Sequence, residues 1–163
     1  MRVCLVSGST GAGKSTFSRK LADECQAVRF SIDEWMSTLF WPDQDPGADY
    51  RWAIERVERC ERQIWATALE VIRCERDVVL DLGFTERRQR ARFAEWASDA
   101  GIELVTYFVT AAPEVRKARV QKRNVEKAET YQFEVTDDMF DFMEGLFEPP
   151  TDEEPGTLEV IRT

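Results

Sequence analysis

Apolar residues follow two patterns along this chain, one of short continuous runs and one with helical spacing. Short β-branched runs predict strands buried on both faces of a parallel sheet, whereas apolar residues three or four positions apart predict amphipathic helices. The runs predict strands at residues 2–7, 27–32, 78–82, 102–109 and 157–161. The helical spacing predicts helices near residues 14–24, 33–40, 48–76, 85–100, 113–124 and 137–147, with a loop at 41–49. This alternation predicts an α/β fold of three layers, with helices on both faces of the sheet.

The length and charge of the chain limit its organisation and its partners. A chain of 163 residues has room for one domain, predicted over residues 1–163, and its 43% hydrophobic residues are enough for a core. The 22 Lys and Arg against 31 Asp and Glu give a net charge of −9. This balance disfavours nucleic acid as a partner, because strand binding normally needs a broad basic surface.

Histidine is absent from the sequence. Imidazole-dependent catalysis and histidine-ligated metal centres are therefore excluded, so acid–base chemistry must use carboxylates or lysine. The cysteines at 4, 25, 60 and 74 form no CxxC pair, and we expect reduced thiols in the core. Because no segment resembles a signal peptide or a membrane span, the sequence predicts a cytoplasmic protein.

A glycine-rich segment between the first predicted strand and helix carries the most specific motif. The sequence GSTGAGKST matches the phosphate-binding loop pattern of Gly, four residues, Gly, Lys and Ser or Thr. Its glycines let backbone N–H groups point at an anion, and the helix adds its positive N-terminal end. Lys14 is predicted to contact the β- and γ-phosphates of ATP, Ser15 to bind Mg²⁺, and Thr16 to contact an inner phosphate. The predicted nucleotide-binding residues are Gly8, Ser9, Thr10, Gly11, Ala12, Gly13, Lys14, Ser15 and Thr16.

Two aspartates follow predicted strands at the sheet edge that carries this loop. Asp81 is a candidate for positioning Mg²⁺ through water, and the alternative is a solvated aspartate at a strand end. Asp33 is the candidate base for an acceptor hydroxyl, since no histidine is available. Its alternative role is to cap the short helix that follows.

Basic residues are concentrated in two stretches, 87–92 and 116–127. In the second stretch Arg116, Arg119 and Arg123 share one helical face, so segment 113–127 is a candidate lid that closes over the phosphates. A solvated helix face is the alternative interpretation.

The remaining features allow two interpretations each. The acidic C-terminal segment, 128–163, has no Lys or Arg before Arg162, and it either attracts a cationic substrate or maintains solubility. Several aromatic residues near Asp33 either line an acceptor pocket or pack between helices. These are Trp35, Phe40, Trp41 and Trp52.

The ordered set of motifs resembles the small P-loop kinases of the AAA_33 type. These kinases are similar to chloramphenicol phosphotransferase, zeta-toxin kinases and the kinase domain of polynucleotide kinase. The likeness runs from VCLVSGSTGAGKST through FSIDEW, VVLDLGFTERRQR and EVRKARVQKRN to FEPP. It implies a three-layer α/β/α P-loop NTPase fold with about five parallel strands in the order 2-3-1-4-5. It also implies an ATP- and Mg²⁺-dependent phosphotransferase.

The same resemblance implies roles for individual residues. Asp33 matches the acceptor base, and Arg87 and Arg90 match arginines that contact the acceptor or the phosphates. The lid and nucleotide-side residues of the family match Arg119, Arg123 and Asn124.

Two other parts of the chain bear on the resemblance. Phe147–Pro150, followed by Glu153 or Glu154, matches a segment near the adenine. The chain departs from the family pattern at Thr85 and Glu86, where the family often has an aromatic residue and a serine.

The predicted function is transfer of the ATP γ-phosphate to a hydroxyl of a small molecule, such as an antibiotic, a sugar or a nucleotide-like compound. The candidate catalytic residues are Lys14, Asp33, Arg119 and Arg123. Two alternatives remain open, a kinase for 5′-hydroxyl ends of nucleic acid and a nucleotide-binding switch with slow ATP hydrolysis.

Overall fold

The computed structural model describes residues 1–45, 47–127 and 134–163. The strands are β1 (Arg2–Ser7), β2 (Val28–Ser31), β3 (Val78–Asp81), β4 (Glu103–Thr110) and β5 (Thr157–Arg162). The helices are α1 (Lys14–Cys25), α2 (Ile32–Leu39), α3 (Tyr50–Arg73), α4 (Arg87–Asp99), α5 (Pro113–Glu126) and α6 (Asp137–Leu146). A short 3-10 helix, Trp41–Asp43, lies in the predicted loop. Within these described ranges, no helix is long and apolar enough to cross a membrane.

The sheet is parallel throughout, and its strand order is β2-β3-β1-β4-β5. This confirms the predicted fold class and strand order. In a parallel sheet all carboxyl ends of the strands meet at one edge, where ligands of such folds bind. The segments that follow β1, β2 and β3 therefore begin next to one another at this edge of the sheet.

Alternate residues of each strand face opposite sides of the sheet and build two cores. On one face Val3 and Leu5 of β1 belong to a core with Ile64 of α3 and Phe93 of α4. On the other face Cys4 belongs to a core that includes residues of α1. Helices thus cover both faces, which explains why the strands have continuous apolar sequences rather than an alternating pattern.

The cysteines only partly follow the expectation of core thiols. All four are free; Cys4 and Cys60 are buried, and Cys25 is half-buried. Burial raises the pKa of the Cys4 thiol to about 12. The expectation is wrong for Cys74, which is exposed because it lies just beyond α3, where the packed face of the helix has ended.

The aromatic residues near Asp33 pack between helices. Trp35, Phe40 and Trp41 pack against the core that α2 and α3 share with the sheet. Trp41 and Trp52 stack with ring centroids 5.6 Å apart, and the Arg56 guanidinium lies 3.7 Å from the Trp52 ring centroid. Packing is therefore their observed role.

Two carboxylates hold the segment between α6 and β5 against α4. Glu154 accepts hydrogen bonds from Nε and Nη2 of Arg90, each at 2.7 Å. The Arg90 side chain is only 2% exposed, and its Nη1 also donates to the carbonyl oxygen of Phe84 at 3.0 Å. Glu148 accepts from the backbone N–H of Arg87 at 2.6 Å at the start of α4. A buried ion pair of this kind therefore fixes the C-terminal segment to the body of the protein.

Replacing Arg90 by alanine should lower the free energy of unfolding by roughly 3–5 kcal/mol, because Glu154 would remain as an uncompensated buried charge. Urea unfolding of the purified variant measures this loss. Arg88→Ala is the matched control: Arg88 is on the same helix, but its side chain is 86% exposed, so its effect should stay within about 0.5 kcal/mol. Equal losses for both variants would contradict a structural role for Arg90.

Candidate active site

A cleft of about 370 Å³ opens at the carboxyl edge of the sheet. Its floor is the glycine-rich loop, of which residues 8–11 and 13–16 line the cleft. Ala12 points into the core instead, with no exposed surface. One wall follows β2 and β3, and the other is formed by α5 and α6. The structure thus brings the predicted nucleotide loop to the sheet edge where the ends of β1, β2 and β3 meet.

The path of the loop depends on glycines that are packed against backbone atoms. Gly11 has φ +78°, and a side chain there would clash with the carbonyl oxygen of Arg116. Gly8 lies equally close to the carbonyl oxygen of Val109. After the loop, α1 begins at Lys14 with no side-chain cap. Its first N–H groups are therefore free of side-chain acceptors and face the cleft as an anion site.

Lys14 lies over this loop, with its Nζ donating to the carbonyl oxygen of Ser9 at 3.1 Å. Enclosure by the cleft lowers the pKa of the Lys14 ammonium, and the nearby charges of Asp81 and Asp33 oppose this change. A cation that is poorly hydrated before a ligand arrives loses little hydration when it contacts a phosphate. Lys14 is therefore arranged to neutralise an anion on the loop.

Asp81 is buried at the end of β3 and is held by two donors. Ser18 Oγ donates to Asp81 Oδ2 at 2.9 Å, and Arg29 Nη2 donates to the same oxygen at 2.8 Å. Arg29 also donates to Glu34 Oε1 at 2.8 Å, so one guanidinium joins Asp81 to α2. Both hydrogen bonds end on Oδ2 and fix the orientation of the carboxylate. Asp81 nevertheless remains one of the residues that line the cleft. Because Asp81 is buried and hydrogen-bonded, the alternative interpretation of a solvated aspartate at a strand end is wrong.

Asp33 lies in the first turn of α2 and lines the cleft. The cap of α2 is Ser31, whose side chain accepts from the backbone N–H of Glu34 at 3.4 Å. The capping alternative for Asp33 is therefore wrong. Asp33 keeps solvent-exposed surface toward the cleft, but desolvation by the cleft walls and the charge of Asp81 raise the pKa of its carboxyl, while Lys14, Arg123 and Arg29 act in the opposite direction. A carboxylate with a raised pKa accepts a proton more readily, as a general base requires.

The three arginines of α5 have different surroundings. Arg119 and Arg123 line the cleft, and Arg119 Nη1 donates to Thr163 Oγ1 at 2.7 Å. Arg116 is buried: it donates to the carbonyl oxygens of Ala111 at 2.9 Å and Thr10 at 3.4 Å, and it pairs with Glu144. The solvated-face interpretation therefore does not hold for Arg116, which instead holds the loop in place.

Besides Ala12, three residues of the predicted site do not line the cleft. Asn124 uses both amide atoms on the backbone of Val135, at 2.8 and 3.2 Å, and so connects the end of α5 to the segment before α6. Arg90 is buried in its pair with Glu154, and Arg87 faces Glu153 at 3.9 Å on the surface. The structure therefore gives Asn124 and Arg90 structural contacts rather than ligand contacts.

Sequence patterns did not identify Arg29 or Glu144. Glu144 Oε1 accepts from Ser9 Oγ at 3.1 Å, and its other oxygen pairs with Arg116. Arg29 is a charged residue inside a short strand, which is an available signal because strands buried on both faces rarely carry one. Glu144 gave no such signal, since it stands among many acidic residues.

The oxygen ligands at the cleft suit Mg²⁺. Within the part of the chain that the structure describes, no cluster of three acidic or cysteine side chains forms a metal cage. Mg²⁺ bound with phosphates does not need one, because it keeps waters and uses one or two protein oxygens. Ser15 and Asp81, which both line the cleft, are the residues that fit this role.

Comparison with known proteins agrees with this architecture. The profile of the AAA_33 family, described as an AAA domain, matches residues 3–150. No curated protein sequence shows significant similarity to the chain.

Solved structures have the same P-loop kinase-like fold. A presumed kinase from Chloroflexus aurantiacus matches with a TM-score of 0.78 and 16% identity over 99% of this chain and 88% of that one. Kti12 from Chaetomium thermophilum, in complex with ADP-AlF3, matches with a TM-score of 0.71 and 17% identity over 99% of this chain and 88% of that one. The APS kinase CysC of Mycobacterium tuberculosis, in complex with AMPPNP and APS, matches with a TM-score of 0.62 and 18% identity over 98% of this chain and 87% of that one. At these identities the likeness shows the fold.

The raised pKa of Asp33 predicts a pH-dependent effect on stability. Because the folded-state pKa lies above the unfolded value of about 3.9, ionised Asp33 costs free energy in the folded protein. This cost is absent below the unfolded pKa and grows as pH rises through the folded pKa. The stability of Asp33→Asn relative to wild type should therefore increase as the pH rises above about 4. Thermal unfolding at several pH values measures the difference, and a relative stability that falls with pH would contradict the assignment.

Proposed function

This chain belongs to the AAA_33 family, and from that premise we propose that it is an ATP-dependent kinase that phosphorylates a hydroxyl of a small molecule. The observation that carries the proposal is the meeting of two oppositely charged groups of residues in one cleft. Lys14, Arg119 and Arg123 supply positive charge, and Asp33 and Asp81 supply carboxylates. This is the set of residues that phosphoryl transfer to an alcohol needs.

The nucleotide phosphates are proposed to lie on the glycine-rich loop at the start of α1. The backbone N–H groups and Lys14 bind the β- and γ-phosphates, and Thr16 contacts an inner phosphate. Arg119 and Arg123 approach from the wall formed by α5 and stabilise the charge that spreads over the transferred group. Ser15 and Asp81 would hold Mg²⁺, which supplies further neutralisation of phosphate charge when bound.

Asp33 is proposed to act on the acceptor. The acceptor hydroxyl forms a bond to the γ-phosphorus, and the bond from this phosphorus to the bridging oxygen of ADP breaks. ADP leaves with the electron pair of that bond, and the hydroxyl proton passes to Asp33. The raised pKa of Asp33 favours this last step.

The structure supports a small acceptor more than a nucleic-acid strand. The cleft is about 370 Å³, and the cations that line it belong to the proposed phosphate site. The net charge of −9 also disfavours binding of a nucleic-acid strand, which normally follows a basic surface.

Replacing Asp33 by asparagine should separate transfer from nucleotide binding. We expect acceptor-dependent turnover to fall by about 10²–10⁴, because the base is lost, while affinity for Mg·ATP stays near that of wild type. Turnover and binding of a fluorescent ATP analogue measure the two quantities. Lys14→Ala is the contrasting variant, in which binding itself should weaken. Unchanged turnover in Asp33→Asn would remove Asp33 from the mechanism, and ATP hydrolysis that no hydroxyl compound stimulates would favour the switch.

Arg119→Ala and Arg123→Ala should each slow transfer by roughly 10³–10⁵, the range for arginines that stabilise transition-state charge. The control is Lys122→Ala, which removes a cation from the same helix at a position where the side chain is 71% exposed. This variant should keep wild-type turnover. Single-turnover rates at saturating ATP provide the comparison. Small and equal reductions of the transfer rate in all three variants would contradict this role and favour the interpretation of α5 as a solvated helix.

A further inference from the structure

One face of α6 forms an apolar stripe along the cleft. Met139, Met143 and Phe147 are four residues apart, and all three line the cleft. Phe147 is supported from behind by Phe108, with ring centroids 5.9 Å apart. Phe140, which is not on the stripe, packs instead in a small core with Val120 and Val135. The stripe therefore lines the cleft, while Phe140 on another face of the helix holds α6 in place.

The stripe lies at the terminal-phosphate end of the glycine-rich loop. Glu144 of α6 accepts from Ser9 at the start of this loop, and Lys14 Nζ contacts the Ser9 carbonyl oxygen. Lys14 contacts the outer phosphates in such loops, whereas Thr16 is at the other end. The stripe is thus placed beside the acceptor rather than beside the nucleobase, which differs from the position near the adenine that the family resemblance implies for Phe147. Asp33 also lines the cleft, and Thr85 lies beside the end of the stripe, where its carbonyl oxygen accepts from the backbone N–H of Glu148 at 2.9 Å.

Positive charge for an anionic acceptor is missing from this end of the cleft. Among the described residues, the cations that line it are Lys14, Arg119 and Arg123. Each of these is already assigned to the nucleotide phosphates. Residues 128–133 and Pro46, which the structure does not describe, include no Lys or Arg in the sequence.

The arginines that follow β3 do not supply that charge either. All four are paired with carboxylates, and none lines the cleft. The pairs are Arg87 with Glu153, Arg88 with Glu86, Arg90 with Glu154 and Arg92 with Glu61. A phosphate, sulfate or carboxylate on the acceptor would thus enter a cleft where Asp33 and Asp81 repel it.

We infer that the acceptor is an uncharged alcohol with an apolar body, which packs on Met139, Met143 and Phe147 while its hydroxyl faces Asp33. This inference rests on the proposed kinase function and narrows its acceptor. The methionines suit such a role because their flexible side chains adapt to an apolar ligand. Thr85, which lines the cleft next to Phe147, carries a hydroxyl that can orient the acceptor.

The first test offers the wild-type enzyme four classes of hydroxyl compound with labelled ATP. The probes are uncharged aryl alcohols such as phenylethanediol, sugar acids such as gluconate, nucleoside monophosphates, and amino sugars such as glucosamine. Phosphorylation chiefly of the uncharged aryl alcohols is the expected result. Preference for either anionic class or for the amino sugars would overturn the inference and leave the kinase function standing. If ATP binds but no class is phosphorylated, the kinase function itself fails, and the inference fails with it.

The second test uses variants of the stripe. Met143→Gln should raise the KM for the best aryl alcohol about tenfold, since a polar group replaces an apolar contact, and should leave the KM for ATP unchanged. Met143→Leu should restore most of the loss. The matched control is Phe142→Gln, which changes an apolar residue of the same helix that is 60% exposed. An equal effect of Met143→Gln and Phe142→Gln, or an effect on ATP alone, would contradict placement of the acceptor on the stripe.

Discussion

The buried guanidinium of Arg116 is the interaction on which the cleft depends. It donates to the carbonyl oxygen of Thr10 in the glycine-rich loop, pairs with Glu144 of α6, and lies 5.6 Å from the centre of the Phe140 ring. The loop, α5 and α6 are thus joined at one side chain. Because a buried arginine requires all of these partners, the phosphate floor and the apolar wall of the cleft are held in a fixed relation.

A second network joins Asp81 to α2, the helix that carries Asp33. Arg29 binds Asp81 directly and reaches α2 through Glu34, the neighbour of Asp33. Glu34 in turn accepts from Arg19 of α1 at 3.4 Å. Asp81 is therefore positioned by direct hydrogen bonds, and the same network holds the start of α2, on which Asp33 lies, through Glu34. Networks of this type orient groups more precisely than single contacts do.

The lack of histidine explains how the cleft tunes a carboxylate. Asp33 opens onto the cleft but is enclosed by its walls, and the nearby charge of Asp81 raises its pKa further. The cations Lys14 and Arg123 limit that rise. In the proposed mechanism the base is adjusted by the same residues that bind phosphate, and nucleotide binding and proton transfer are electrostatically coupled.

The sequence by itself determined the fold and the floor of the site. Strand and helix periodicity were sufficient for the parallel sheet, because buried parallel strands and amphipathic helices leave local patterns. The strand order followed from the resemblance to the AAA_33 kinases. The loop at residues 8–16 was equally predictable, since its chemistry depends on contiguous residues. Asp33 and Asp81 followed from their positions at strand ends.

Only the tertiary structure decided which charged residues belong to the cleft. Arg90 and Arg116 looked like ligand-binding cations, yet burial and ion pairs with Glu154 and Glu144 gave them structural contacts. The sequence pattern of α6 predicted only an amphipathic helix and did not indicate that its apolar stripe lines the cleft. Pairing and orientation of this kind depend on residues distant in sequence, with Arg90 and Glu154 separated by 64 positions. Local periodicity carries no information about such contacts, so the partners of a charge become known only when the chain has folded.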